Sequence, residues 1–298
     1  MSRNYGLGSR EMAKAGQFAL KNASKSGHLS YSSASTIGDR WSKFAAWARE
    51  AGIKKMEDIT SDTVKTYAST LSDLAPSTAQ NYISAINSVM NLATKGGWKS
   101  VSPTKDCNIE QRSHARTQSA PDRETARGAL SSIQDDRLQA VGNLMHELGL
   151  RSKEASLLNA QSALLEATES RSVTISDGTK GGRSREVEIT RPEQLQALQR
   201  AADLQGDHRS MIPADQNWAQ WREGDLRDLR EGLQEQGIER LHDLRAAFAN
   251  QRFEELTGHA APVEGGYWDR KADLEAAKRL AEELGHGRTA VLAAYIGR

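Results

Sequence analysis

Cysteine is almost absent from this sequence. The 298 residues contain one cysteine, Cys107, so the chain cannot build an internal disulfide framework or a cysteine-rich zinc site. It also lacks any apolar run approaching the ~18 residues of a membrane span. Its first residues, MSRNYGLGSREMAKAG, lack the apolar core of a secretory signal. We therefore expect a reducing, cytoplasmic setting and no membrane partner.

Net charge is nearly absent too, because 40 Lys and Arg face 39 Asp and Glu. The two halves of the chain differ, however. Residues 1–120 carry 16 basic and 9 acidic side chains, whereas the remainder carries 24 basic and 30 acidic ones. A basic half joined to an acidic half favours contact between the first half and a polyanion, with drift in solvated surface charge as the alternative.

Apolar periodicity divides the chain into two blocks. Residues 1–30 are predicted to be a polar N-terminal arm with room for a short helix around 9–23. Residues 31–98 predict a helical domain of at least three amphipathic helices. The first ends at Gly52, the second starts with a cap at Ser61/Asp62, and the third starts at Pro76. Residues 99–121 follow as a basic linker.

The second block, residues 122–298, is predicted to be mainly helical with one β-hairpin. Val173 and Ile175 alternate with polar residues, as do Val187 and Ile189, and a glycine-rich stretch between the pairs supplies the turn. The predicted fold class is therefore mainly α with a small β-hairpin, in two domains, the second being α+β.

The stretch LHDLRAAFAN places His242 and Arg245 three residues apart on one face of a predicted helix. A buried charge must be paired, so the two side chains need a partner. A metal is a poor candidate, because no second His or Cys has ligand spacing nearby. An anion such as phosphate suits both donors, with an ordinary helix surface as the alternative.

Four further stretches carry chemistry, although each has a structural explanation in isolation. These explanations are a surface ion pair, a solvated turn lysine, a capping loop and a core tyrosine. The residues concerned are Arg151 with Glu154 after the helix-ending Gly149, Lys180 at the tip of the hairpin, His286 before a new helix, and Tyr295 nine residues later.

Taken together, the order and spacing of six residues resemble those of the tyrosine recombinase (phage integrase) family. The flanking words LGLR, LHDLR and LGH match the family as well. Residues 32–97 also resemble the family's helical core-binding domain, so the resemblance covers most of the chain. The six matching positions are Arg151, Lys180, His242, Arg245, His286 and Tyr295.

The resemblance implies a site-specific recombinase of a mobile element, which cuts one DNA strand by attack of Tyr295 on the scissile phosphate. A 3′-phosphotyrosine link stores the bond energy, so the reaction needs neither a cofactor nor a nuclease metal. Arg151 and Arg245 are then expected to clamp the phosphate oxygens, and His286 to add a third donor.

The same resemblance assigns the proton transfers. Lys180 is expected to protonate the leaving 5′-oxygen, and His242 to take or relay the proton of the tyrosine. Glu154 is expected to brace Arg151 rather than to act chemically. The 3′ link then waits for attack by a second DNA end.

The implied partner is double-stranded DNA, bound by a homo-tetramer that assembles on it, with an accessory directionality factor left open. The two domains are expected to close around the duplex. The expected phosphate contacts of the N-terminal domain and linker are Lys95, Lys99, Lys105, Arg112 and Arg116.

Two departures from the family pattern stand out. The stretch from Arg245 to His286 is long and is predicted to contain an inserted loop and an extended helix. Only three residues follow Tyr295 in this sequence, so a long C-terminal helix that couples protomers is not expected.

Three alternatives remain at this level. A type IB topoisomerase shares the active-site logic but relaxes supercoils without partner protomers. A catalytically silent relative would bind DNA as a regulator, although it has no need of all six residues. A helical scaffold without a DNA partner is the plainest alternative.

Because phosphate contacts release counterions, we expect DNA affinity to fall steeply between low and moderate salt, with a slope of about −0.9 per neutralised phosphate on a log–log plot. Fluorescence anisotropy of a labelled duplex across a salt series measures this slope. A flat salt response contradicts the expected role of the basic linker.

Overall fold

The computed structural model describes residues 3–297, and the chain divides into two compact units, with the boundary between Ser113 and His114. The helices of the N-terminal unit are α1 (Met12–Lys25), α2 (Tyr31–Glu50), α3 (Ser61–Ser69) and α4 (Pro76–Ala93). The predicted helical content of this region is confirmed. The predicted domain boundaries stay a prediction.

The ends of these helices follow from local chemistry, with one correction to the sequence interpretation. Helix α4 begins at Pro76, as predicted, because proline suits the first helical position. Helix α3 is capped by Thr60 and not by Ser61/Asp62: the Thr60 hydroxyl accepts a hydrogen bond from the backbone N–H of Thr63. The threonine side chain of Thr63 reaches back to complete the box, a role usually taken by Glu or Gln.

An aromatic cluster fills the core of the N-terminal unit. Trp41 and Phe44 on α2 are fully buried, and their ring centroids lie 5.4 Å apart. The indole of Trp41 lies against Gly16 on α1, where an added Cβ would come within 2.0 Å of its nitrogen. Helix α1 confirms the short helix expected around residues 9–23, but it is packed tightly on α2, whereas residues 1–30 were expected to form a polar arm.

The C-terminal unit consists mainly of helices and contains a two-stranded sheet. Its strands are β1 (Ser172–Ile175) and β2 (Arg185–Glu188). Its helices are α5 (Arg123–Ser131), α6 (Asp136–Glu147), α7 (Ser152–Leu157), α8 (Ala160–Ser170), α9 (Pro192–Gln205), α10 (Trp218–Glu223), α11 (Asp225–Glu235), α12 (Leu241–Thr257), α13 (Leu274–Glu283) and α14 (Ala293–Ile296).

The predicted hairpin is confirmed. Strands β1 and β2 are antiparallel, and Val173 pairs with Val187. Both valines are fully buried, so the apolar face of the ribbon packs on the core while the alternate residues face outward. The loop between the strands, residues 176–184, carries Lys180.

Helix α12 runs through the middle of the C-terminal unit. Residues from Leu244 to Phe253 are almost continuously buried, including Phe248 and the charged Arg245. A helix segment that is buried on nearly all sides lies inside a protein rather than on its surface, so its polar side chains need partners there. Its three alanines, Ala246, Ala247 and Ala249, let other elements approach its backbone closely, so α12 can present Arg245 to several of them at once.

The long stretch after α12 contains the predicted loop and the predicted helix. The loop includes a short 3-10 turn at Pro262–Glu264, and the helix is α13. A second 3-10 turn, Thr289–Leu292, leads into α14. Among the described helices, none combines the length and the apolar character needed to cross a membrane.

Candidate active site

The fully buried guanidinium of Arg245 is the centre of the candidate site. Its Nη1 donates to the carbonyl of Gly149, its Nη2 donates to the carbonyl of Leu284, and its Nε lies 3.2 Å from the hydroxyl oxygen of Tyr295. Burial lowers the pKa of Arg245 to about 10, which is still far above neutral pH. The guanidinium therefore stays charged and is held by oxygen atoms from three separate segments.

Tyr295 lies on the short helix α14 and is 3% exposed. Its hydroxyl accepts from Arg245 and lies 3.1 Å from Nε2 of His286. A neutral imidazole accepts at one nitrogen, so the phenol can donate to His286 while it accepts from the arginine. The phenolic oxygen therefore lies where an anionic oxygen would find one donor in Arg245 and, once Nε2 of His286 carries a proton, a second donor in the imidazole.

Two histidines flank the phenol in different ways. Burial and the charges of Arg245 and Arg151 lower the pKa of His286 to about 4, so this imidazole is neutral at neutral pH. The ring of His242 lies 5.1 Å from the ring of Tyr295, centroid to centroid. Partial burial and the charge of Arg245 also lower the pKa of His242, although its surface is exposed to solvent. Of the two imidazoles, His286 makes the polar contact with the phenol, whereas His242 was expected to take its proton.

Arg151 reaches the cluster because the chain turns sharply before it. Gly149 has φ +60°, and a Cβ there would come within 2.3 Å of the Phe248 ring, so glycine is required on both counts. Nη2 of Arg151 lies 3.3 Å from the carbonyl oxygen of Leu284. That carbonyl also accepts from Arg245, so one acceptor holds both arginines side by side.

The carboxylate of Glu154 links the guanidiniums of Arg151 and Arg185 by hydrogen bonds. Its Oε1 accepts from Arg151 at 2.6 Å, and its two oxygens accept from both Nη atoms of Arg185 at 2.9 and 2.7 Å. Burial alone raises the pKa of Glu154, but the hydrogen bonds and charge of Arg185, together with Arg151, lower it to about 2. The carboxylate also lies 3.8 Å from Arg245.

Arg185 was missed by the sequence interpretation. It is buried at the start of β2, and its Nε donates to the carbonyl oxygen of Glu283 at 2.7 Å. It therefore ties the hairpin to Glu154 and to the end of α13, next to His286. The only available signal was an arginine at an inward-facing strand position beside buried Val187, where an unpaired charge is costly.

Lys180 is the one predicted catalytic residue that the structure does not bring into the cluster. It lies exposed on the hairpin loop, and it makes no hydrogen bond or ion pair to any other residue in the described range 3–297. A loop of glycines with positive φ at Gly178, Gly181 and Gly182 carries it. Nothing in this conformation ties the ammonium group to one place.

The expected DNA contacts divide into two groups. Arg116 is half-buried and donates to Asp243 Oδ1 at 2.8 Å, so its charge is already paired within the C-terminal unit. The others are exposed and hold no described ion pair: Lys95, Lys99, Lys105 and Arg112. Within residues 3–297, no group of three or more His, Cys, Asp or Glu side chains is arranged to hold a metal ion.

Comparison with known proteins supports the family expectation. A family model described as Integrase matches residues 109–251. No curated protein matches the sequence.

Among solved structures, a post-cleavage complex of the XerH site-specific recombinase with a palindromic difH substrate is similar, with a TM-score of 0.64 and 15% identity. The alignment covers 95% of this chain and 80% of that one. A lambda integrase dimer bound to a COC′ core site has a TM-score of 0.60 and 12% identity, with 93% and 94% coverage. The Tn1549 transposon integrase with a circular intermediate DNA has a TM-score of 0.60 and 13% identity, with 94% coverage of both chains.

The resemblance found in the sequence is thus confirmed. Residues 109–251 carry the integrase family's sequence pattern, and the mainly helical chain with its small sheet has the fold of tyrosine recombinases.

Glu154→Gln is expected to destabilise the C-terminal unit by about 3–5 kcal/mol, because buried guanidiniums lose their carboxylate. The folded-state pKa of Glu154 is lowered from 4.5 to about 2. Its contribution is therefore present in full above about pH 4.5 and is lost as the pH falls towards 2. Urea unfolding at a series of pH values should show a shallower acid loss in the variant than in the wild type.

Glu282→Gln is the matched control, because its carboxylate is exposed on α13 and makes no described hydrogen bond or ion pair. The control should change the unfolding free energy by no more than about 0.5 kcal/mol. An equal effect of the two substitutions contradicts the bracing role of Glu154.

Proposed function

We propose that this chain is a tyrosine recombinase, which cuts and rejoins DNA strands at specific sites through a covalent 3′-phosphotyrosine intermediate. The observation that supports this proposal most strongly is the convergence of Arg245, His286 and Tyr295 on one oxygen position. A charged arginine donor, an imidazole and a phenol at a single point suit the transfer of a phosphoryl group to the phenol. Glu154 accepts hydrogen bonds from Arg151 and Arg185 and so holds these two guanidiniums next to the site.

In this proposal the scissile phosphate competes with the phenol for the side chains of Arg245 and His286. A non-bridging oxygen takes the Arg245 N–H that now holds Tyr295, and Arg151 approaches from the side of Leu284. The phosphate's negative charge raises the pKa of His286, which then donates to it. Losing one such donor typically costs about 10²–10³ in rate.

The proton of the phenol then needs an acceptor. Once Arg245 and His286 turn to the phosphate, His242 is the remaining imidazole beside Tyr295, at 5.1 Å between ring centroids. Its lowered pKa keeps it neutral at neutral pH and able to accept a proton. Lys180, on its unrestrained loop, protonates the leaving 5′-oxygen when DNA orders the hairpin.

The proposed partner is double-stranded DNA, bound by a tetramer of this chain. In this assignment the N-terminal unit is the core-binding domain, and the exposed Lys95, Lys99, Lys105 and Arg112 contact phosphates. The similar structures of XerH, lambda integrase and Tn1549 integrase are complexes with DNA sites, which supports the same class of ligand here.

A nicked suicide DNA substrate tests the covalent step. We expect the wild type to form a denaturation-resistant protein–DNA adduct and Tyr295→Phe to form none, because only the phenolic oxygen can attack the phosphorus. Denaturing gel electrophoresis of labelled DNA measures the adduct.

Two outcomes favour other functions. If the wild type binds its native site but forms no adduct there, the chain is a silent DNA-binding relative. If it relaxes plasmids that lack any specific site, without partner protomers, the topoisomerase alternative holds.

The role of Lys180 is tested by the leaving group. Lys180→Ala should slow cleavage of ordinary DNA by about 10²–10⁴. DNA with sulfur at the 5′-bridging position should restore a near-wild-type rate, because a thiolate with a pKa of about 8.5 leaves without protonation. Single-turnover rates on both substrates measure the effect.

Arg151→Ala is the control, since loss of charge stabilisation slows both substrates alike. If Lys180→Ala is as slow on the sulfur substrate as on ordinary DNA, Lys180 is not the general acid.

A further inference from the structure

The helix that carries Tyr295 is too short to hold itself in place. Helix α14 spans only Ala293–Ile296, and isolated helices below about 12–15 residues are marginal even in favourable sequences. Its position must therefore come from contacts with other segments. Two segments outside the six-residue pattern supply such contacts: residues 116–120, here called the strap, and residues 259–266, here called the loop.

The strap is bonded directly to the backbone of α14. The N–H of Arg116 donates to the carbonyl oxygen of Ala293 at 2.8 Å, and the same oxygen accepts from the N–H of Gly297 at 3.2 Å. The first residue of the helix is thus fixed from outside. This bond anchors the first residue of α14, two residues before Tyr295, to the strap.

The side chain of Arg116 fixes the conformation of the strap. Its guanidinium donates to the carbonyls of Gln118 and Ser119 at 2.7 and 3.3 Å and to Asp243 Oδ1 at 2.8 Å. Asp243 lies next to His242 at the start of α12, where its other oxygen accepts from the N–H of Arg240. The arginine therefore links the strap to the helix that carries Arg245.

The loop is hydrogen-bonded to the strap. The hydroxyl of Ser119 donates to the carbonyl of Val263 at 3.1 Å, and the N–H of Ala120 donates to Glu264 Oε1 at 2.9 Å. The same carboxylate oxygen accepts from Asn250 on α12 at 2.7 Å. The loop is thereby anchored to the strap and to the central helix.

Gly297 shows how closely the two segments meet behind the tyrosine. It has φ +72°, and a Cβ there would lie 2.6 Å from Cβ of Val263 and 2.7 Å from the carbonyl oxygen of Arg116. No other residue type fits at that point without displacing one of the two segments. The residue after α14 is therefore held between the strap and the loop.

We propose that the strap and the loop form a clasp on the nucleophile helix, in which Arg116 is a positioning residue that sets the aim of Tyr295. This inference rests on the proposed function. It also gives the long stretch between Arg245 and His286 a role, since the loop lies within it. Arg116 acts through the backbone of α14 and not by binding DNA.

The geometry carries a specific consequence for rate. A nucleophile displaced by about 1 Å can lose about 10²-fold in rate without any change in substrate binding. Loosening the clasp leaves Arg151, Arg245 and His286 in place, because none of their described contacts involves the strap or the loop. The effect therefore falls on attack by Tyr295 and not on the affinity for DNA.

Arg116→Gln tests the clasp, with Arg116→Lys and Asp243→Asn as milder variants that keep part of the contact. We expect faster amide hydrogen exchange in residues 293–297, measured by mass spectrometry without DNA. We also expect the single-turnover rate of adduct formation at saturating suicide substrate to fall by about ten- to a hundredfold. The DNA dissociation constant should stay within about twofold, and Arg116→Lys should recover part of the rate.

Arg200→Gln is the matched control, because it breaks an exposed Arg–Asp pair with Asp136 in the same unit. Unchanged exchange in residues 293–297 of Arg116→Gln overturns the clasp, whether or not the protein cuts DNA. A weaker dissociation constant with an unchanged saturated rate also overturns it and makes Arg116 a DNA contact. Absence of an adduct in the wild type refutes the proposed function, and the exchange measurement still decides the clasp.

Discussion

The arrangement of the C-terminal unit around its candidate site depends on the hydrogen bonds of one fully buried guanidinium, that of Arg245. A buried Arg245 must have its donors satisfied, and the acceptors come from Gly149, Leu284 and Tyr295. Each lies where the chain has just left a helix or formed a very short one. The turn before Arg151, the turn before His286 and helix α14 are thus gathered around one side chain, because that side chain cannot be buried without them.

The negative charge of Glu154 balances part of the positive charge around Arg245. It accepts from Arg151 and Arg185 and lies near Arg245, so three guanidiniums crowd around one carboxylate. An excess of positive charge in a partly buried place is costly unless an anion arrives. In the resting protein the phenolic oxygen of Tyr295 accepts a hydrogen bond from Arg245. In the proposed reaction the negatively charged phosphate takes this hydrogen bond, and the phenol is released beside the phosphorus that it attacks.

Local patterns predicted much of the fold. The helices in 31–98, the start of α4 at Pro76 and the β-hairpin follow from periodicity and turn chemistry, which act over a few residues. The cap of α3 was misplaced by one residue, because several adjacent side chains could serve as cap. Arg185 and the inward pairing of Arg116 could not be predicted, since their partners lie 31 and 127 residues away.

The sequence by itself determined which chemical groups are present and in what order: two arginines, two histidines, a lysine and a tyrosine on helix ends and a hairpin. Those features depend on neighbours within a turn or two of the chain. Only the tertiary structure decided that the phenol rests between Arg245 and His286, that His242 meets only its ring, and that the strap and loop enclose α14. Such contacts join segments far apart in the chain, so they depend on how helices pack and not on any local spacing.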